Sequence, residues 1–356
     1  MPTGPGYAAN NNTYVPIDIS GRLRIGFSRN ATRFHLPRYC QYVETPKGNG
    51  YFLKLTAQEA ARVVNIQDFT WPDGQPDVAT DQQTESFNFI PFTTQRYRYG
   101  FRIGQKAEKQ AVWPIAEQNA QIKAAQMMTA RTVRVLSQAT SASTWTQASD
   151  PDNLSSDHTS TAKALSGGTL DQGTSTTPFV RIALMNIAGL INQDTLGVVD
   201  SDPETFFVLM NPRTASMIGS SSEIHEYIKG SYWAMDEIRR GQHPNGKYGL
   251  PSSIYGFNVI VENAVQVITR KGEAALKQYV LPNQTILVVS RVGGIEGVYG
   301  APSFSTLSLF WYQDEMTIET KEDSWNRLHE GRVVEDTYEA VTCPASGYLI
   351  TTATST

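Results

Sequence analysis

The sequence predicts an α+β fold, and three stretches carry that expectation. From Pro114 to about Leu136 there is no glycine and no second proline, Ala and Gln dominate, and Ile115, Ile122, Thr129, Val133 and Leu136 recur at helical spacing. At the standard rise per residue this is a helix roughly 35 Å long. Thr205 to Met210 is a continuously apolar run closed by Asn211-Pro212, which reads as a buried strand leading directly into a helix with Asn as cap and Pro in its first turn. From Leu307 to Thr320 apolar residues return at period two (Leu307, Leu309, Trp311, then Met316 and Ile318), the mark of strands with one buried face, with a turn at Asp314-Glu315.

At the start of the chain, residues 1–37 are rich in Asn, Gly, Pro and Thr and read as an extended arm. It holds Arg22, Arg24, Arg29 and Arg33 against a single acid, Asp18, so it suits an acidic neighbour, nucleic acid, or simply solvent. Tyr39–Glu44 and Tyr51–Leu55 flank a turn-forming loop at 46–50 and are expected to form a hairpin. Thr56 and Glu59 make a capping box for a short helix, Ala57–Val64, and 66–84 reads as loop.

Phe87 to Ile103 reads as one strand. Its end places Tyr97, Tyr99, Phe101 and Ile103 on one face and Arg96, Arg98 and Arg102 on the other. Rings beside guanidinium groups suit single-stranded nucleic acid, but the same alternation describes any amphipathic strand of an antiparallel ribbon. A coiled-coil seam is the rival for the long helix, although Asn119 and Gln126 interrupt its stripe. Residues 137–177 are mostly Ser, Thr, Asp and Gly and read as an exposed loop. A second helix, Phe179–Asn192, presents Ile182, Met185, Ile187, Leu190 and Ile191 as its core side, and Val259–Val261 is a strand ending in Glu262-Asn263. After Thr320 the charged stretch Lys321, Glu322, Asp323, Asn326, Arg327, His329 and Glu330 forms a polar projection, and Val333-Val334, Tyr338 and Val341 return the chain to the body.

Composition narrows the function. The 356 residues are 40% hydrophobic and 18% charged, enough for one large core or two smaller ones. A net charge of -4 argues against a dedicated nucleic-acid binder, which needs a clustered excess of Lys and Arg. Cys40 and Cys343 are far apart and fit neither a disulfide framework nor a zinc site. No signal peptide opens the chain, no run is long enough to span a membrane, and the sequons at Asn11, Asn30, Asn153 and Asn283 are read as chance. No HExxH, GxSxG, GxxxxGK[ST] or GxGxxG occurs, and the histidines at 35, 158, 225, 243 and 329 lie apart as surface or satisfied polar residues. Glu322-Asp323 and Glu335-Asp336 sit in charged runs that read as solvated faces. An enzyme is therefore not expected, and no cofactor is implied.

In their order, the blocks Thr205–Gly219, Gly249–Val265 and Leu307–Ile350 resemble the tailed-bacteriophage major capsid proteins, the Hong Kong 97-type coat fold. The resemblance implies an N-terminal arm (1–37), an E-loop ribbon with an inserted short helix (38–104), a peripheral domain with a spine helix and a second helix (105–205), an axial domain (206–305), peripheral strands and polar tip (306–342), and a final strand and tail (343–356). It further implies a virion shell that forms in the bacterial cytoplasm as hexamers and pentamers, encloses double-stranded DNA without sequence specificity, and works with portal, scaffold and decoration proteins. On this reading the subunit contacts are Arg96, Tyr97, Arg98, Tyr99 and Phe101 of the ribbon, Lys321, Glu322, Asp323 and Arg327 of the tip, and the arm arginines. An encapsulin-like compartment shell and an unrelated α+β enzyme are the alternatives. Some members of the family join subunits by a Lys–Asn isopeptide bond. Here Glu330 stands at the matching Asn position and Asn326 is out of register, so no cross-link is expected.

Overall fold

The computed structural model describes residues 34–54, 88–111, 114–197, 199, 206–241, 243–270, 272–291 and 305–355. Arg22, Arg24, Arg29 and Arg33, the expected helix Ala57–Val64 and the loop 66–84 lie outside the described residues.

Two sheets organise the chain. The larger joins β5 (Thr159–Thr161), β15 (Tyr348–Thr351), β11 (Ile286–Ser290), β6 (Phe206–Met210), β8 (Phe257–Val261) and β7 (Ser253–Ile254), in that order. Val208 and Met210 of β6 turn to one core with Val259, Val261, Ile286 and Val288, while Leu209 turns to a second core with Ile260, Leu287 and Leu349. Both faces of this sheet are covered, which is why β6 reads as a continuous apolar run and not as an alternation. As expected, Asn211 ends β6 and caps the next helix, accepting from the Thr214 N–H at 2.8 Å.

The second sheet is built on the long strand β14 (Leu328–Val341). One edge of β14 pairs with β4 (Gln95–Gly104), from Gln95 opposite Thr337 to Gly104 opposite Leu328. The other edge takes β12 (Leu307–Trp311) opposite 337–341 and then β13 (Thr317–Asp323) opposite 328–334. The turn at Asp314-Glu315 thus separates two strands that share a partner and do not pair with each other. Neither strand has the one buried face expected: β12 is buried on both, Leu307 and Leu309 in one core and Phe310 in another, whereas β13 projects with both faces largely exposed, Ile318 included.

β1 (Gln41–Glu44) runs parallel to β12, and β2 (Asn49–Lys54) pairs antiparallel with β3 (Asn88–Thr93). The hairpin expected from Tyr39–Glu44 and Tyr51–Leu55 is therefore not formed, because each half finds a partner distant in sequence. The single strand expected over Phe87–Ile103 is likewise divided at Thr94 between two sheets.

Helix α3 (Ile115–Ala139) forms where the sequence predicts a helix and packs against β14, but its buried line differs. Ile122, Thr129 and Val133 are only half-buried, while Gln118, Met127, Arg131, Thr132, Val135 and Ala139 join Ile115 and Leu136 in the interior. The N-terminal half covers Phe101 and Ile103 of β4, and the C-terminal end fills the core shared by the two sheets.

Residues 140–177 are not an exposed loop. They fold into short turns around buried Trp145, Leu154, His158 and Leu170. Trp145 donates from Nε1 to the Ala139 carbonyl at 2.8 Å, and a Cβ at Gly347 would lie 2.8 Å from its ring, so only glycine fits there. His158 and Asp194 are joined at 2.9 Å in the interior. Helix α5 (Phe179–Asp194) buries Val180, Ala183, Leu184, Ile187 and Ile191 and leaves Ile182 and Met185 exposed. It packs on the six-stranded sheet and not, as the resemblance implied, with the β14 strands.

Candidate assembly surfaces

Two projections leave the body of the chain. The first is the β2–β3 ribbon. Its inner face carries Phe52 and Phe92, which stack on Phe310 of β12 with ring centroids 5.5 and 4.8 Å apart. Its outer face carries Tyr51 and Phe89, which are 62% and 57% exposed, and Pro91, paired opposite Tyr51. The ribbon thus carries apolar residues on both faces, and among the described residues the inner face is the more deeply buried.

The second projection is the β13–β14 hairpin. At its tip Asp323 accepts from the backbone N–H groups of Trp325 and Asn326, each at 3.1 Å, and from Asn326 Nδ2 at 2.7 Å. This Asx-type turn holds the backbone of Arg327 at φ 53° and leaves the Trp325 side chain 94% exposed. Lys321, Glu322 and Arg327 are exposed around it, as expected of a polar tip.

A buried charge cluster ties β14 to α3. Arg131 donates from Nε to Glu335 at 2.9 Å, while Arg134 bonds Glu335 through Nη2 and donates from Nε to Glu339 at 2.9 Å. Thr337 Oγ1 donates to Glu339 at 2.8 Å, and the Arg134 guanidinium lies 3.8 Å from the Tyr97 ring centroid. Burial is the largest single influence and disfavours the Arg131 charge, but Glu335 and Tyr42 together outweigh it and raise its pKa. Glu335 and Asp336 are therefore interior residues, which corrects their reading as a solvated face.

The residues expected of the ribbon are divided by this geometry. Phe101 is buried within its own chain against Ile115 and Ala120, in space left by Gly331, where a Cβ would fall 2.2 Å from its ring. Tyr97 is half-buried under Arg134, and Arg96 reaches Asp336 at 3.4 Å and Gln313 at 2.9 Å. Arg96, Arg98 and Tyr99 remain exposed, but with Phe101 buried and Tyr97 half-buried this strand is not a projecting ribbon with an uncovered aromatic face. Trp325, Tyr51 and Phe89 were legible only as single apolar residues, and Arg131 is hidden by its charge. Among the described residues no cluster of His, Cys, Asp or Glu could hold a metal ion, and no helix is long and apolar enough to cross a membrane.

The chain matches no protein-family model and no curated protein sequence. Its fold, however, is shared by solved structures. A phage-related protein from Bordetella bronchiseptica RB50 aligns with TM-score 0.55 at 11% identity over 95% of this chain and 97% of that one. The mature capsid of bacteriophage PhiM1 gives TM-score 0.53 at 10% identity, covering 88% of this chain and 85% of the other. The capsid of cyanophage P-SCSP1u gives TM-score 0.53 at 10% identity, covering 89% and 87%. The chain thus shares the fold of these phage capsid structures.

Proposed function

We propose that this chain is a major capsid protein, whose copies assemble into the icosahedral shell of a tailed bacteriophage around its packaged double-stranded DNA. The observation that carries this is the β2–β3 ribbon, whose outer rings Tyr51 and Phe89 are 62% and 57% exposed while its inner face packs on Phe310. Large rings exposed together on one strand pair mark a contact surface, so this face calls for a neighbour. In a Hong Kong 97-type reading this ribbon and the segment between β2 and β3 are the E-loop, α3 is the spine helix, the β14 sheet is the peripheral domain and the six-stranded sheet is the axial domain. Copies would meet as hexamers and pentamers, with portal, scaffold and decoration proteins as further partners, in the cytoplasm of a bacterial host. No catalytic step or cofactor enters this function.

Size-exclusion chromatography and negative-stain imaging of the purified chain test it. Closed particles of uniform diameter are expected, and nuclease-protected double-stranded DNA inside particles from infected cells distinguishes a virion from a compartment that encloses protein cargo. A folded chain that stays monomeric at every concentration would sink the proposal.

A further inference from the structure

Strand β13 has one edge on β14, and its other edge meets no strand among the described residues. Six of its seven residues are exposed and the last, Asp323, is half-buried. β1 ends level with Thr337 of β14 while β13 begins level with Val334, so the column beside β13 holds no described strand. Natural edges are commonly blunted by proline, a bulge or charged side chains. β13 has no proline, and its register with β14 runs unbroken from Thr317 opposite Val334 to Asp323 opposite Leu328. It does carry charge, but of both signs and in an order that complements itself. Residues directly opposite one another share a face of the sheet, so two rows of charge cross it. One runs Arg102, Glu330, Lys321, with Arg102 bonded to Glu330 at 2.7 Å. The next runs Gly100, Arg332, Glu319, with Arg332 Nε donating to Glu319. At the open edge the first row ends on a cation and the second on an anion. Lys321 forms no ion pair among the described residues, since Glu330 opposite it is held by Arg102.

We infer that β13 pairs edge to edge with β13 of a second copy of this chain, antiparallel about a two-fold axis through Thr320. Glu319 of each copy then faces Lys321 of the other, and both rows run on into the neighbouring sheet with their signs still alternating. Charge fixes the register, because an axis through Glu319 or through Lys321 would set that residue against its own copy. On the other face Thr320 meets Thr320 of the second copy, a pairing that suits antiparallel strands. The contact is isologous and closes at two copies. Seven residues on each side fall short of the roughly 20–30 of a stable interface, so the pair is weak in the isolated chain and strengthens where other contacts hold copies side by side. It deepens the proposed assembly by naming an interface between copies, and it rests on that reading only for the strengthening.

Covalent trapping reads a weak contact of this kind. Cβ atoms directly opposite in an antiparallel pair lie about 4.5–5.5 Å apart, near the span of a disulfide. Mild oxidation of the full-length chain carrying Thr320→Cys is therefore expected to give a linked dimer on a non-reducing denaturing gel. Ile318→Cys should give several-fold less, because its two copies would stand roughly 13 Å apart across the axis. Wild type, with Cys40 buried and Cys343 half-buried, sets the background. Adding Lys321→Glu to Thr320→Cys places Glu against Glu twice in each contact and should cut the dimer yield several-fold at low salt. All three positions are exposed, and circular dichroism checks the fold of every variant. Folded Thr320→Cys that links no better than Ile318→Cys overturns the inference, and so does a yield that Lys321→Glu leaves unchanged. Particle formation is scored separately. Linked dimers from a chain that forms no particles would remove the shell reading and leave the strand pair standing, whereas particles in which Thr320→Cys does not link would do the reverse.

Discussion

At the scale of single residues, the most consequential side chain is one whose burial no sequence pattern announces. Glu262 is fully buried at the end of β8, accepts from Tyr39 Oη at 3.2 Å and from the Ala264 N–H at 3.1 Å, and has no cation in its hydrogen-bond set. Burial pushes its pKa from an ordinary 4.5 up to about 7, with those hydrogen bonds pulling the other way. Because the folded-state value is raised, the stability tied to this group is fully present below the unfolded value and is lost as pH rises through about 7. The loss is on the order of 3 kcal/mol across that window. Glu262→Gln, which stays neutral, should flatten urea-unfolding stability between pH 5 and pH 8 relative to the wild type. Parallel pH profiles for the two proteins would refute this account. Sequence reasoning places Glu262 at a strand end but cannot see that Tyr39, 223 positions away, closes over it. Arg131 escapes for the same reason, since a charged residue on a buried helix face is excluded by any hydrophobic pattern until its partner Glu335 is known.

At the scale of elements, periodicity identifies types well and partners poorly. Helix α3, β6, β8 and β12 are legible because each satisfies its burial locally, through one stripe, one face or a continuous run. Strand pairing is a long-range property, and the turn chemistry at 46–50 suggests a local hairpin while β1 and β2 find partners at 308–311 and 88–93. The short turns of 140–177 are hidden from composition because their order comes from Trp145 and backbone hydrogen bonds.

With its pairing known, the ribbon separates buried rings that hold the subunit together from rings that are largely exposed. Tyr51 and Phe89 are exposed, so changing both to Ser should alter monomer stability by only about 0.5 kcal/mol. Phe52 and Phe92, on the covered face, should each cost about 3–5 kcal/mol on truncation to Ala. Size-exclusion chromatography with circular dichroism tells the pairs apart. Tyr51→Ser/Phe89→Ser is expected to yield folded subunits that do not assemble, and normal particles from it would show that no neighbour covers the ribbon.

At the scale of the whole molecule, repetition converts small contacts into a stable object. An exposed ion pair is worth roughly 0.2–1 kcal/mol, yet a closed symmetric shell repeats each contact in every subunit. Covalent joining is not needed for such a shell, and Asn326 is already held by Asp323 within its own turn. Boiled, reduced particles should accordingly run as one band near 39.4 kDa.

The hairpin tip offers the sharpest test of a noncovalent contact. Trp325 gains nothing for its own fold at 94% exposure, and a large ring displayed by a rigid turn is the kind of residue that dominates an interface once buried. Trp325→Ala should leave the melting temperature of isolated subunits unchanged within about 0.5 kcal/mol of stability. In the particle the same change should lower assembly yield or particle melting temperature well beyond that, since every copy of the contact loses its ring. Lys321→Glu, which reverses one charge beside the tip without removing the ring, should have the smaller effect of the two. Equal particle stability for wild type and Trp325→Ala would mean that the tip meets only solvent, and would leave the ribbon and the β13 edge as the surfaces through which copies of this chain recognise one another.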